Sequence, residues 1–169
     1  MYVIASFHCT CLFRIMYWTS YSAGNSSIWK SVMDGSGQYQ IVTGLKYPCG
    51  IVIDFQMSRM YWTDCLLQKI QSIKINGGDV DTIVEGLPGP RGIALIGENM
   101  FFGNLYNNAL QSITIEGTNN RTHHTDSHGI WYLTVVPDME RPTNRTNHCK
   151  GQHCTGICVL TTTSSRCIN

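Results

Sequence analysis

The sequence predicts an all-β fold assembled from repeated four-stranded sheets, and three observations carry that expectation. A set of residues recurs at intervals of about forty residues, each period holds four short segments rich in β-branched and aromatic residues, and turn signals such as Asp-Gly, Asn-Gly and Pro separate them. Nowhere do apolar residues recur three and four apart over a run that a helix needs. Four strands per period is the plan of a propeller blade.

The blocks follow in order. Arg14-Ile-Met-Tyr-Trp-Thr-Ser20 returns as Arg59-Met-Tyr-Trp-Thr-Asp64 and, degenerately, as Asn99-Met-Phe-Phe-Gly-Asn104, so the first aromatics stand at Tyr17, Tyr61 and Phe101. A second block repeats in phase as Ile28-Trp-Lys-Ser-Val-Met-Asp-Gly35, Ile70-Gln-Ser-Ile-Lys-Ile-Asn-Gly77 and Leu110-Gln-Ser-Ile-Thr-Ile-Glu-Gly117. A third is Pro48-Cys-Gly-Ile-Val-Ile-Asp54, matched by Pro90-Arg-Gly-Ile-Ala-Leu-Ile96 and, without its proline, by Gly129-Ile-Trp-Tyr-Leu-Thr-Val135. A fourth is the apolar pair Ile41-Val42, echoed by Ile83-Val84. Ile73 and Ile75, like Ile113 and Ile115, alternate with polar neighbours, the period of a strand. A β-sandwich with chance similarity between strands is the competing architecture. WD40 blades share the period but need a Trp-Asp dipeptide, and here Thr stands between Trp and Asp.

Composition narrows the function classes. The 169 residues carry Lys+Arg 12 against Asp+Glu 11, a net charge of +1, which gives no electrostatic case for nucleic acid or an anionic membrane. Polar residues interrupt every apolar run, so no bilayer-spanning segment and no direct membrane insertion is expected. Residues 1–13 make a poor signal peptide and read as an irregular start or a partial strand. No nucleophile elbow, zinc-protease or nucleotide-binding motif is present, and the inner segments Ile51-Val-Ile53 and Ile93-Ala-Leu-Ile96 offer hydrocarbon where an enzymatic channel needs polar groups. No enzyme activity, catalytic residue, cofactor or metal is expected.

At the motif residues the chain resembles the YWTD, or class B, repeats of the low-density lipoprotein receptor family. Tyr61-Trp-Thr-Asp64 matches the motif in full, Tyr17-Trp-Thr-Ser20 departs at its last position, and Phe101-Phe-Gly-Asn104 departs throughout. In that family the repeats build a six-bladed propeller, the Pro-x-Gly segment supplying a blade's inner strand and the YWTD segment the next one out. The resemblance therefore implies about half of such a propeller over residues 14–142, its C-terminal half, with the missing blades belonging to a parent chain and Leu133 to Pro142 as closing strand and exit. A half-propeller leaves the flank of its first blade open, which is an aggregation liability, and the chain is expected to be a fragment. Residues 143–169 resemble the opening of an EGF-like module, left incomplete before its last two cysteines. The family pattern implies bridges of Cys149 with Cys158 and of Cys154 with Cys167, and no calcium signature precedes them. Zinc held by His148, Cys149, His153 and Cys154 is the alternative, against which the usual Cys-x2-Cys spacing is absent.

Other candidates come from the residues themselves. A hairpin turning near Met57 sets Cys49 opposite Cys65, so that either a strand-to-strand disulfide or two separate buried thiols can result. Cys9 and Cys11 stay unassigned. Asn25, Asn120 and Asn144 open N-glycosylation sequons, which together with the bridges favour an oxidising, extracellular location. Repetition of Tyr17, Trp18, Tyr61 and Trp62 at one strand position argues for inter-blade core over a ligand site, and Asp54 and Asp64 are expected to bond turn backbone. His123, His124 and His128 are candidate pH sensors, because imidazoles titrate near ~6.5 and receptors of the family release cargo in acidifying endosomes; a plain exposed loop is the competing reading. The expected function is a non-enzymatic ectodomain segment of a single-pass lipoprotein-receptor-related endocytic receptor. It would support binding or acid-triggered release of a protein or lipoprotein ligand. A matrix or signalling propeller-EGF pair of the nidogen or Wnt-coreceptor kind is the alternative.

Overall fold

The computed structural model describes residues 3–10, 15–125, 129–135, 157–160 and 165–168, with side chains placed at 15–125 and 129–135. Among them all regular structure is β. Three four-stranded antiparallel meanders follow one another: β1 (Val3–Thr10), β2 (Ile15–Tyr21), β3 (Ser26–Val32) and β4 (Tyr39–Leu45); β5 (Pro48–Asp54), β6 (Arg59–Asp64), β7 (Lys69–Lys74) and β8 (Asp81–Glu85); β9 (Pro90–Ile96), β10 (Asn99–Asn104), β11 (Ala109–Thr114) and β12 (Arg121–Thr125). A separate hairpin pairs β13 (Ile157–Leu160) with β14 (Ser165–Ile168) and puts Cys158 opposite Cys167 in the register. The four sequence blocks are thus four strands, in the expected order. At the chain's start, expected as an irregular beginning or a partial strand, β1 is an eight-residue strand paired along β2 with one register shift between Ile4 and Ser6. It lacks the Pro-x-Gly marker of the later inner strands, which is why its role was not legible.

The three sheets are blades because β1, β5 and β9 lie side by side on the inside. Two glycines make that approach possible. A Cβ on Gly50 would stand 2.5 Å from the Arg91 carbonyl oxygen, and one on Gly92 would stand 2.8 Å from the backbone of Tyr132 and Leu133. Any side chain at the third position of Pro-x-Gly would therefore hold the inner strands apart. Residues 129–135 occupy the place of the next inner strand without making a strand ladder.

Two apolar cores fill the seams between blades. Tyr17, Ile28, Val42 and Leu45 of the first blade meet Ile51, Ile53, Met60, Trp62 and Ile73 of the second. Tyr61 and Ile70 of the second meet Ile93, Met100, Phe102 and Ile113 of the third. Adjacent motif aromatics therefore point opposite ways, Trp62 to the preceding blade and Tyr61 to the following one, as period-two alternation requires. Each such buried side chain contributes about 1.5–3 kcal/mol. The same motif position with no described blade beside it is less covered: Trp18 is half-buried and stacks on Trp29 at 6.3 Å, whereas Trp62 is fully buried.

The degenerate third motif has a steric cause. A Cβ on Gly103 would sit 2.6 Å from Ile130, a residue only 2% exposed. Where the second blade carries Thr63, the third needs bare backbone to admit the segment that packs on it.

The expected bridge between Cys49 and Cys65 is not formed; both are free, buried thiols. Asp54 pairs with Arg59, so the hairpin turns between Gln56 and Met57, and an irregularity between Pro48 and Ile51 slides β5 further. Cys65 consequently faces Tyr47, donating its amide to the Tyr47 carbonyl at 3.0 Å, and Cys49 lies diagonal to it. Burial pushes the Cys49 thiol up to about 12, the Arg91 cation opposing and Cys65 and Asp64 adding to the shift.

Candidate functional site

Strand direction gathers one set of turns on one face. β5 and β9 start, and β6 and β10 end, at the same edge, so residues 22–25, 46–47, 65–68, 86–89 and 105–108 converge there. The motif's polar residues build this face. The Asp64 carboxylate accepts four backbone N–H bonds, from Lys46 at 2.8 Å, Tyr47 at 2.9 Å, Leu66 at 3.2 Å and Leu67 at 3.0 Å, tying the second blade's own turn to the chain arriving from the first. The Thr63 hydroxyl accepts from Gly50 N–H at 2.9 Å and donates to the Arg91 carbonyl, and Thr19 donates to the Cys49 carbonyl at 2.9 Å. These bonds fix the starts of β5 and β9, and with them the residues just before and within Pro-x-Gly.

Those residues form a ladder of rings and one cation across the three blades. Tyr21, at the end of β2, packs on Tyr47 with centroids 4.6 Å apart. The Arg91 guanidinium lies 5.4 Å from the Tyr47 ring and 4.1 Å from the Trp131 ring. Its Nε is buried with no hydrogen-bond partner. Leu66 is 59% exposed, Tyr106 58% and Trp131 45%, so apolar surface flanks the cation. The Tyr106 hydroxyl lies 4.0 Å from the Cys65 sulfur, and that thiol, by its charge when ionised, raises the Tyr106 phenol's pKa. Exposed Trp and Tyr around an Arg in cation–π contact is the residue set enriched at protein-binding hot spots.

Charge divides between the two faces. On the ladder face stand Lys46, Lys69 and Arg91 with Glu85, which pairs with Lys69 at 3.0 Å, and the fully buried Asp64. The opposite face, made by the other turns and strand ends, carries Asp34, Asp54, Asp79, Asp81, Glu98 and Glu116 against Arg59, Lys74 and Arg121.

The sequence candidates distribute as follows. Tyr17, Tyr61 and Trp62 are inter-blade core, Trp18 is half-buried on the first blade, and Asp64 and Asp54 bond turn backbone, Asp54 accepting from Gln56 at 2.9 Å and Met57 at 3.0 Å. His123 and His124 belong to the outer strand β12 rather than to a loop. They occupy the bulged position where the earlier blades carry Ile41-Val42 and Ile83-Val84. His123 Nε2 and Ser112 Oγ share a 2.7 Å hydrogen bond, with the Phe101 ring 5.4 Å away. Asn25 lies exposed in a turn of the ladder face and Asn120 exposed on the opposite face. His128, Asn144, His148, Cys149, His153, Cys154 and the exit segment to Pro142 lie outside the described residues, as do the side chains of Cys9, Cys11, Cys158 and Cys167. Sequence reasoning missed Tyr21, Tyr47, Arg91 and Trp131. The available signal was positional: Tyr47 precedes a Pro-x-Gly, and Arg91 is the variable residue of the next one.

Comparison with known proteins accords with this plan. Residues 58–95 match the family described as low-density lipoprotein receptor repeat class B. The chain is 25% identical over 149 residues to the vitellogenin receptor Yl of Drosophila melanogaster, covering 86% of this chain and 7% of that protein. It is 37% identical over 76 residues to the sortilin-related receptor of Homo sapiens, 44% of this chain and 3% of that one. The chain thus spans less than a tenth of these relatives. Among solved structures, one of a nidogen/laminin complex aligns with a TM-score of 0.71 and 27% identity over 79% of this chain and 53% of that chain. A luciferin-regenerating enzyme aligns with a TM-score of 0.67 over 80% of this chain and 50% of its own, but at 8% identity, which shows the fold alone. The matched stretch runs from just before β6 into β9, so the sequence repeat straddles two blades, three outer strands of one and the inner strand of the next. The chain is thus a partial β-propeller, and its residues 58–95 match the low-density lipoprotein receptor class B repeat.

Proposed function

We propose that this chain is a non-enzymatic, extracellular segment of a lipoprotein-receptor-related receptor and that its ladder face binds a protein ligand. The observation that carries the reading is the run Tyr21, Tyr47, Arg91, Trp131, which crosses three blades at one edge and leaves Trp131, Tyr106 and Leu66 open to solvent. Support comes from the receptors among the relatives and from the apolar inner strands, where Ile51, Ile53 and Ile93 are buried. Within this reading, release of ligand on acidification falls to the candidates His123 and His124, on the outer strand of the third blade, and His128, and not to the ladder.

The test is an array of purified extracellular proteins probed with the chain and with a triple variant, Leu66→Ser, Tyr106→Ala and Trp131→Ala. Ligands should bind the first and not the second. Ligands that bind both equally would remove the face from the reading. Secretion from cultured cells with a glycosidase-sensitive mass increment, reduced by Asn25→Gln or Asn120→Gln, checks the extracellular route. A second reading, a matrix propeller held to a partner protein, is favoured by the nidogen/laminin likeness. It differs in the parent chain and not in the face used.

A further inference from the structure

We infer that the ligand of the ladder face is a protein that presents an acidic side chain, whose carboxylate docks on the Arg91 guanidinium between Tyr47 and Trp131. This deepens the proposed function and rests on it. Three independent observations converge. The first is local: the guanidinium carbon lies over two rings, 4.1 Å from the Trp131 centroid and 5.4 Å from the Tyr47 centroid, so two of its neighbours are aromatic faces that neutralise no charge. A carboxylate accepting two parallel N–H bonds is the group that fits its fork.

The second is an accounting of partners. Among the described residues the ion pairs are Arg59 with Asp81 and Lys69 with Glu85, and neither involves Arg91. The neighbouring carboxylate, Asp64, is consumed by four backbone N–H groups and is fully buried. Arg91 Nε is itself buried and unpaired. Arg91 as a whole is half-buried, and a partly buried cation without a counter-charge is costly, so a carboxylate that pairs with it gains more than a surface contact would.

The third is the field. On the ladder face Lys46, which is exposed, Lys69 and Arg91 outnumber Glu85 and the buried Asp64, while on the opposite face six carboxylates outnumber Arg59, Lys74 and Arg121. An acidic segment is attracted to the ladder face and repelled by the other, which orients the encounter. The exposed Trp131, Tyr106 and Leu66 around the cation favour a protein, whose apolar side chains they can cover, over a sulfated polysaccharide, which needs a cluster of cations.

The experiment pans a phage-displayed library of random peptides on the full chain, then compares the strongest selected peptide with its counterpart in which Asp and Glu are replaced by Asn and Gln. Selected sequences should carry Asp or Glu beside apolar residues, and the acidic peptide should bind at least about tenfold tighter than the amide form. Arg91→Gln should erase that difference, Arg91→Lys should restore only part of it, and Trp131→Ala should weaken both peptides. Circular dichroism of each variant checks folding. Peptides that require Trp131 but bind Arg91→Gln as well as the parent chain overturn this inference and leave the ladder face standing. Peptides indifferent to both substitutions, or none selected, overturn both. Heparin that binds through Arg91 while the peptides show no acidic preference overturns it in favour of a glycan ligand.

Discussion

Thr63 makes the sharpest test of how the blades are joined. Its hydroxyl is at once the acceptor for Gly50 N–H, on the second blade's inner strand, and the donor to the Arg91 carbonyl, on the third's. Thr63→Val keeps volume and β-branching and removes both bonds. Gly50 N–H and the Arg91 carbonyl are then left without their partner in a seam too tight to admit a Cβ, and so too tight for water. Each stranded group costs about 1–3 kcal/mol, so the substitution should destabilise by roughly 3 kcal/mol. Thr19→Val, which removes only the bond to the Cys49 carbonyl, should cost about half as much. Urea unfolding followed by tryptophan fluorescence reads the difference; at a slope of about 2 kcal/mol per M the midpoint falls by roughly 1.5 M for Thr63→Val. Thr63→Ser should stay near the parent value. If Thr63→Val lost less than about 0.5 kcal/mol, or no more than Thr19→Val, the hydroxyl would not be a strut between blades.

Two further predictions concern buried groups. Trp62 Nε1 is buried without an acceptor, so Trp62→Phe, the residue type found at the matching Phe102, should be nearly neutral: the lost ring area costs about 1 kcal/mol and relief of the stranded N–H returns a similar amount. Trp62→Ala should cost about 3–5 kcal/mol; a large cost for Phe as well would show that the indole N–H is paired in solution. Cys49 has a folded pKa raised from 9.0 to about 12, so the folded state holds its proton longer than the unfolded one. Its contribution to stability is complete below about pH 9 and declines as pH rises toward 12. Stability curves of the parent chain and Cys49→Ala should converge over that window, and iodoacetamide should label Cys49 only after denaturation. Labelling at the rate of a free thiol in the native chain would contradict its burial.

The period of the sequence determined the blades by itself, because strand alternation and the turn residues between strands are local properties written into each repeat. It also determined that Tyr61 and Trp62 are core: a residue type demanded at one strand position in successive repeats answers to a neighbouring blade. The roles of Asp64 and Asp54 were legible for the same reason, since an aspartate beside a turn has few other uses.

What only the tertiary structure decided are the contacts between repeats. The register of β5 on β6 depends on a hairpin that turns between Gln56 and Met57 and on a further one-residue irregularity at the start of β5, which together leave Cys49 and Cys65 diagonal and unbridged. Gly103 reads as decay of a motif until Ile130 is seen filling the space a side chain would take. Tyr21, Tyr47, Arg91 and Trp131 come from different strands and loops, share no spacing and belong to no motif. They become one surface only when three inner strands pack edge to edge, a packing that glycines permit and threonine hydroxyls hold, and that no single repeat can express alone.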